Sequence, residues 1–351
     1  MAGHVTAPNR RTLSERELNR AVLARQGLLN PLDEPLPRVL ERVAGIQAQY
    51  APSMYVGLWS RMRTFDREQL TRALEDRSVV QGTLLRATIH LVSREDYWPF
   101  AVGVRELLRD WFLRVRKGDP TAAELSQAAE RVRSALASGA LRQVDIDELV
   151  GRSARAGINT CLDLIRIPPS GTWERRKADL HADAEGWIGP ADVAVDDARV
   201  LLVRRYLGGF GPATKQEIAN WAGLPVRAVT QALASIEDVT FEAENGATLV
   251  DLPNHPLPDA DTPVAIRFLP TWDATLLVHA RRARILPEEH RTKVFSVRNP
   301  HSVATFLVDG SVAGSWRHSD GRIELTEFEP LPAGVRLEVK QAAEPLAAFH
   351  A

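Results

Sequence analysis

One pattern recurs along this chain and leaves few folds open. A capped helix, a short turn and a second helix are followed by two apolar runs around a tight-turn signal. It is clearest between residues 196 and 252. Thr214-Lys215-Gln216-Glu217 has the form of a capping box, in which hydroxyl and carboxylate each accept from an otherwise unpaired amide. Ile218, Trp221 and Ala222 then share an apolar face, and Gly223-Leu224-Pro225 breaks the helix. A second helix over 226–235 would carry Arg227 and Gln231 four residues apart on one face. Phe241-Glu242-Ala243 and Thr248-Leu249-Val250 flank Glu244-Asn245-Gly246, and Asn-Gly is the strongest short hairpin signal. Helices and hairpin in this order spell a helix-turn-helix with a wing.

The same grammar appears twice earlier. Ser14 and Glu17 form a capping box between Leu13 and Leu18, placed as a hydrophobic staple, and that helix runs to about Gln26 and stops at Gly27. Further helices follow Pro35-Leu36-Pro37, open at Pro52-Ser53 and run through Arg63, and extend from an Asp66 cap through Glu75. Two runs, 78–82 and 86–92, read as paired strands. In the next unit, Asp145-Ile146-Asp147-Glu148 starts a helix that Gly157 stops. A short helix at about 160–165 follows, then a Pro168-Pro169-Ser170-Gly171 turn. Asn254 to Pro263, with three prolines, reads as a linker. Six short apolar runs beyond it (264–269, 275–278, 303–308, 311–316, 323–328, 335–339), with an Asp309-Gly310 turn, predict a small antiparallel sheet or barrel. The expected class is α+β. We divide the chain into a disordered lead (1–11), winged-helix units at 12–118, 119–195 and 196–262 (the last with the linker), and a β-rich module at 263–351.

A chain of winged helices invites a nucleic acid, yet the formal net charge is only −1, so a DNA-binding surface has to be a local patch. The basic residues are almost all arginine, with lysine only at Lys117, Lys177, Lys215, Lys293 and Lys340. The single Cys161 excludes an intrachain disulfide framework and a cysteine-based zinc site. No glycine-rich phosphate loop or metal-ligand cluster is visible, so no cofactor is expected. No apolar run reaches the roughly 18 residues of a membrane span, and the N-terminus lacks a signal-peptide core, so a soluble cytoplasmic protein with no membrane partner is expected, as a monomer.

Between the second and third predicted helices lies Val43-Ala44-Gly45-Ile46-Gln47-Ala48-Gln49-Tyr50-Ala51-Pro52. In an extended backbone, Gln47 and Gln49 point one way and Ile46, Ala48 and Tyr50 the other. Two neutral amides emerging together from an apolar run need hydrogen-bond partners, whether protein, water or ligand. The plain alternative is a polar strand edge in water.

Five stretches, read in order, carry a resemblance: Gly45-Ile46-Gln47-Ala48-Gln49; Arg86-Ala87-Thr88-Ile89-His90-Leu91-Val92; Tyr206-Leu207-Gly208-Gly209-Phe210-Gly211-Pro212-Ala213-Thr214 with Trp221; Leu269-Pro270-Thr271-Trp272-Asp273; and Val308-Asp309-Gly310 with Gly314-Ser315-Trp316-Arg317. Together they span about residues 12–340, and the chain resembles the winged-helix DNA glycosylases of the AlkZ and YcaQ type. The resemblance implies three tandem winged-helix units and a β-rich module around a DNA-binding face, with a catalytic Gln-x-Gln motif at Gln47 and Gln49. It implies a bacterial base-excision enzyme that removes bulky N7-alkylguanine adducts from double-stranded DNA and unhooks interstrand crosslinks. The Gln-x-Gln form leans toward antibiotic self-resistance.

Glutamine cannot take a proton at neutral pH, which argues against general-base work. Alkylation at N7, however, puts a positive charge on guanine and activates it as a leaving group. What remains is to hold a water near C1′ and to face the sugar cation with carbonyl dipoles. Gln49 is expected mainly to position the water and Gln47 to support it or the sugar, an order that could be reversed. No lysine stands near the pair, so a monofunctional enzyme is expected. The DNA-contact candidates are Arg86 and His90 on a strand, Thr214 and Lys215 at a helix N-terminus, and the run Arg281, Arg282 and Arg284. Structural roles are nearly as well supported for each. Asp273 reads as a turn cap, and Trp98, Trp111, Trp173, Trp187, Trp221 and Trp272 mostly as core with some able to stack bases. The alternative function is a winged-helix transcription regulator without catalysis.

Overall fold

The computed structural model describes residues 11–277, 282–295 and 302–351. Residues 1–10, most of the expected disordered lead, fall outside that set. The class is α+β. The first unit comprises β1 (Thr12–Leu13), α1 (Glu15–Arg25), α2 (Leu36–Arg42), β2 (Ile46–Gln47), α3 (Ala51–Trp59), α4 (Arg67–Glu75), β3 (Val79–Thr83) and β4 (Ile89–Ser93). Ser14 and Glu17 make the expected capping box on α1, and Leu13 and Leu18 are buried together beneath it. Asp66 caps α4 through the amide of Gln69.

The second unit follows α5 (Arg94–Val102) and α6 (Arg105–Val115). It holds α7 (Ala122–Leu136), β5 (Leu141–Arg142), α8 (Gln143–Ala154), β6 (Leu164–Arg166) and β7 (Leu180–Asp183). The short helix expected near 160–165 is a 3-10 turn at Ile158–Thr160 running into β6. Six residues of largely apolar sequence do not distinguish a helix from a buried strand. The wings of the first two units join edge to edge in one six-stranded sheet, ordered β2-β4-β3-β6-β7-β5. This pairing covers strand edges that separate wings would expose.

After α9 (Ala184–Ile188), the third unit contains α10 (Val195–Phe210), α11 (Lys215–Ala222), α12 (Val226–Leu233), β8 (Val239–Ala243) and β9 (Thr248–Asp251). The Thr214/Glu217 capping box and a left-handed Gly223 (φ 73°) bound α11 as the sequence required. The wing turns at Gly246 (φ 80°), and β1 joins it parallel to β8. Helix α10, buried through Leu202, Val203, Tyr206, Leu207 and Phe210, lies in a core shared with α5 and the first unit's strands.

The C-terminal module is an open antiparallel sheet, not a barrel: β10 (Arg267–Leu269), β11 (Thr305–Val308), β12 (Ser311–Ser319) and β13 (Arg322–Glu327), in that order. A short α13 (Arg291–Val294) precedes β11. The strand expected at 335–339 is instead part of α14 (Ala333–His350), whose buried Val339, Ala343 and Leu346 recur at helical spacing. The five-residue run Val-Arg-Leu-Glu-Val alternates like a strand, but only the helical period continues into the alanine-rich tail. The expected strand at 275–278 is a turn as far as it is described. This module, α14 and α3 share a second core around Tyr55, Phe268, Phe306 and Trp316.

Candidate active site

The glutamine motif sits where the chain reverses from α2 into β2. Ala44 (φ 64°) and Gly45 (φ 75°) are both left-handed. A side chain at Gly45 would lie 3.0 Å from Val92 Cγ1 and 3.2 Å from the Leu91 carbonyl, so strand β4 approaches too closely for anything but glycine. β2 then pairs antiparallel with β4, Ile46 opposite Leu91 and Gln47 opposite His90. Ile46 and Ala48 turn into the core beside Met54 and Leu91, as alternation predicts, which puts Gln47 on the other face.

The two glutamines are not equivalent. Gln47 is only 6% exposed, and its amide makes no hydrogen bond to a described residue. Neither of its amide atoms is among the fully buried unpartnered ones, so the amide reaches the surface with its donor and acceptor open to a water or ligand. Gln49 is exposed, and its Oε1 accepts from the Ile89 amide at 3.0 Å. An N–H donor identifies that atom as oxygen. Because the Ala48 amide donates to the Ile89 carbonyl at 2.7 Å, the side chain of Gln49 adds one more rung to the β2–β4 ladder. It leaves its Nε2 and one lone pair free.

His90, across from Gln47, is 3% exposed, and its Nδ1 lies 3.0 Å from the Thr88 carbonyl. A carbonyl only accepts, so Nδ1 carries the hydrogen and Nε2 the lone pair of a neutral ring. Burial, reinforced by Arg86, pulls its pKa down to about 3. Arg86 is not on the strand with His90, where the sequence placed it: Leu85–Ala87 is a 3-10 turn with Arg86 left-handed (φ 54°). Its guanidinium donates to the Trp221 carbonyl at the end of α11, tying the first unit to the third, and burial pulls its pKa down to about 10.

The other basic candidates are scattered. Thr214 spends its hydroxyl on Glu217, whose carboxylate also accepts from the Thr214 amide at 2.8 Å; an anion already occupies this helix start, and Lys215 beside it is exposed. Arg281 lies outside the described residues. Arg282 is drawn into the core rather than toward a phosphate: it is 3% exposed, 3.2 Å from the Tyr206 hydroxyl and 4.8 Å over the Phe210 ring. Arg284 reaches Glu15 at 3.2 Å. Arg227 and Gln231 are exposed on α12. Trp173 and Trp221 are buried, whereas Trp111 is 50% exposed.

Sequence reasoning missed what braces the motif. Arg61, at the end of α3, makes a two-pronged buried pair with Asp273, each contact 2.9 Å. Burial raises the Asp273 carboxyl, but Arg61 and Thr275 outweigh it and leave its pKa below the ordinary value. The Thr275 amide also donates to Asp273, which is the expected turn cap. Ser53 and Thr271 hydroxyls meet at 2.6 Å. The segment after β10 is thereby locked against α3, and the motif ends one residue before that helix begins. The only sequence trace of this was Asp273 in an otherwise apolar stretch.

The family of DNA glycosylase AlkZ-like proteins matches residues 40–349. The chain belongs to the AlkZ-like DNA glycosylase family. It is therefore an enzyme acting on N-glycosyl bonds in DNA, not the regulator that winged helices alone would allow. An interstrand DNA cross-link repair glycosylase of Streptomyces sahachiroi is 26% identical over 344 residues, covering 89% of each chain. The structure of the Streptomyces sahachiroi DNA glycosylase AlkZ superposes with a TM-score of 0.79 at 20% identity, covering 96% of this chain and 97% of that one, and so shares its fold. AlkZ-like enzymes act on DNA, and no described helix here is long and apolar enough to cross a membrane.

Proposed function

We propose that this AlkZ-like enzyme hydrolyses the N-glycosidic bond of bulky, cationic N7-alkylguanine adducts and unhooks interstrand crosslinks, with its water held by Gln47 and Gln49. The carrying observation is Gln47, a mostly buried side chain whose amide has no hydrogen-bond partner among the described residues yet reaches the surface opposite a neutral histidine. That geometry favours the reversed order of roles. Gln47 orients the water, while Gln49, its carbonyl pinned by the Ile89 amide, presents its remaining lone pair toward the sugar. The C1′–N9 bond breaks with its electron pair going to the cationic base, which leaves neutral. Water adds to C1′ and its proton passes to solvent. No acid is needed for such a leaving group, and His90, neutral down to about pH 3, donates none from Nε2. The first lysine of the sequence is Lys117, so no amine from the first unit's helices and strands competes with water. The expected substrate is double-stranded DNA carrying alkylated purines.

The test is a duplex with one N7-methylguanine, incubated with enzyme and then treated with alkali. Strand breaks at the lesion, appearing only after alkali, support monofunctional excision. Binding without breaks would mark a lesion sensor and remove the proposal.

A further inference from the structure

Beside the motif lies a pocket of about 410 Å³ between the start of α3, the segment after β10 and strand β12. Its floor is apolar around Trp316, and its rim carries Tyr50, Arg176, Arg317, His318 and His350. No carboxylate lines it among the described residues. Arg317 is engaged by Glu324 at 2.5 Å, but Arg176 has no carboxylate partner among the described residues; its guanidinium lies 3.5 Å from the Tyr50 hydroxyl and 5.5 Å over Trp173. His318 and His350 stack at 4.5 Å, and the Nε2 of His350 is buried without a hydrogen-bond partner among the described residues. Burial, with His318, Arg176 and Arg67 adding positive charge, pulls His350 down to about 4. The corner thus holds one guanidinium, that of Arg176, with no carboxylate beside it among the described residues, and an imidazole nitrogen without a hydrogen-bond partner. Tyr50, the residue after Gln49, starts α3 without a side-chain cap or an acid in its first turn, which adds to the same field.

We infer that this pocket seats a backbone phosphate of the lesion-bearing strand, gripped by Arg176 and the His318–His350 pair. Charge complementarity selects the occupant: a guanidinium without a carboxylate and an unpaired imidazole nitrogen together fit a phosphate oxygen set. The pocket adjoins Gln49 through one peptide bond, so a phosphate held there would set where the neighbouring sugar falls relative to the glutamines. This role rests on the glycosylase reading above, but its test does not. Binding of fluorescein-labelled undamaged duplex is followed by anisotropy across a salt series for wild type, Arg176→Gln, His318→Gln/His350→Gln and Arg322→Gln, an exposed arginine on β13. Losing one phosphate contact should flatten the slope of log affinity against log salt by roughly 0.9 for Arg176→Gln, with Arg322→Gln at wild-type slope. The histidine pair variant should bind more weakly at every salt concentration. Equal slopes for Arg176→Gln and Arg322→Gln, with each variant folded by circular dichroism, would overturn the assignment. Wild-type slope combined with selective loss of excision of bulky adducts would also overturn it, making the pocket a receptor for the adduct. Loss of excision in Gln47→Ala bears on the chemistry alone, so the two readings fail separately.

Discussion

Replacing Gln47 with alanine separates catalysis from stability more cleanly than any other change in this protein. The side chain is buried and its amide has no partner among the described residues, so its removal orphans no donor or acceptor elsewhere. Stability should move by no more than ~1 kcal/mol, a shift of a few degrees at most in Tm for a chain this size. Catalysis should fall far more. A preorganised dipole aimed at developing charge contributes about 3–4 kcal/mol, so single-turnover excision of N7-methylguanine should drop by roughly 10²–10³. The assay is the alkali-revealed strand break under enzyme excess, with duplex binding measured in parallel by anisotropy. Gln49→Ala is the informative partner. It frees the Ile89 amide, so a loss of about 1 kcal/mol in stability should accompany its loss of rate. A Gln47→Ala rate within about threefold of wild type, with binding unchanged, would refute the water-holding role.

If the lesion's own charge drives departure of the base, uracil and hypoxanthine in the same duplex context should be released at least about a hundredfold more slowly than N7-methylguanine; comparable rates in a lesion panel would contradict this. His90 is neutral in the fold with a pKa of about 3, whereas an unfolded histidine titrates near 6.5. The unfolded state therefore takes the proton first, and stability should fall as pH drops from about 6.5 toward 3, by up to ~1.4 kcal/mol per unit. His90→Gln should flatten part of that loss in urea midpoints, and identical pH profiles would speak against a buried neutral ring. Arg61→Met leaves the Asp273 carboxylate buried and unpaired and should cost about 3–5 kcal/mol; a denaturation midpoint near wild type would show the pair to be dispensable.

Local chemistry carried much of this structure. The Ser14–Glu17 and Thr214–Glu217 boxes, the Asp66 cap and the Asn245-Gly246 turn each satisfy their own backbone groups within a few residues, so they form as read. The alternation that set Ile46 and Ala48 apart from Gln47 is equally local. Short apolar runs were less decisive, and 335–339 became part of α14 because α14 buries Val339, Ala343 and Leu346 against the second core.

The fates of Arg86, Arg282 and the two glutamines were decided at longer range. A guanidinium reads the same in sequence whether it meets a phosphate or a carbonyl on another unit; only the docking of α11 on the 85–87 turn gave Arg86 its Trp221 partner, and only α10 drew Arg282 inward to Tyr206. Gln47 and Gln49 are likewise identical in type. The register of β2 on β4 gives one of them the Ile89 amide and leaves the other buried opposite His90. Backbone pairing within a few residues can be inferred from residue type and spacing. Partners supplied by distant segments depend on how those segments pack, which no local pattern encodes.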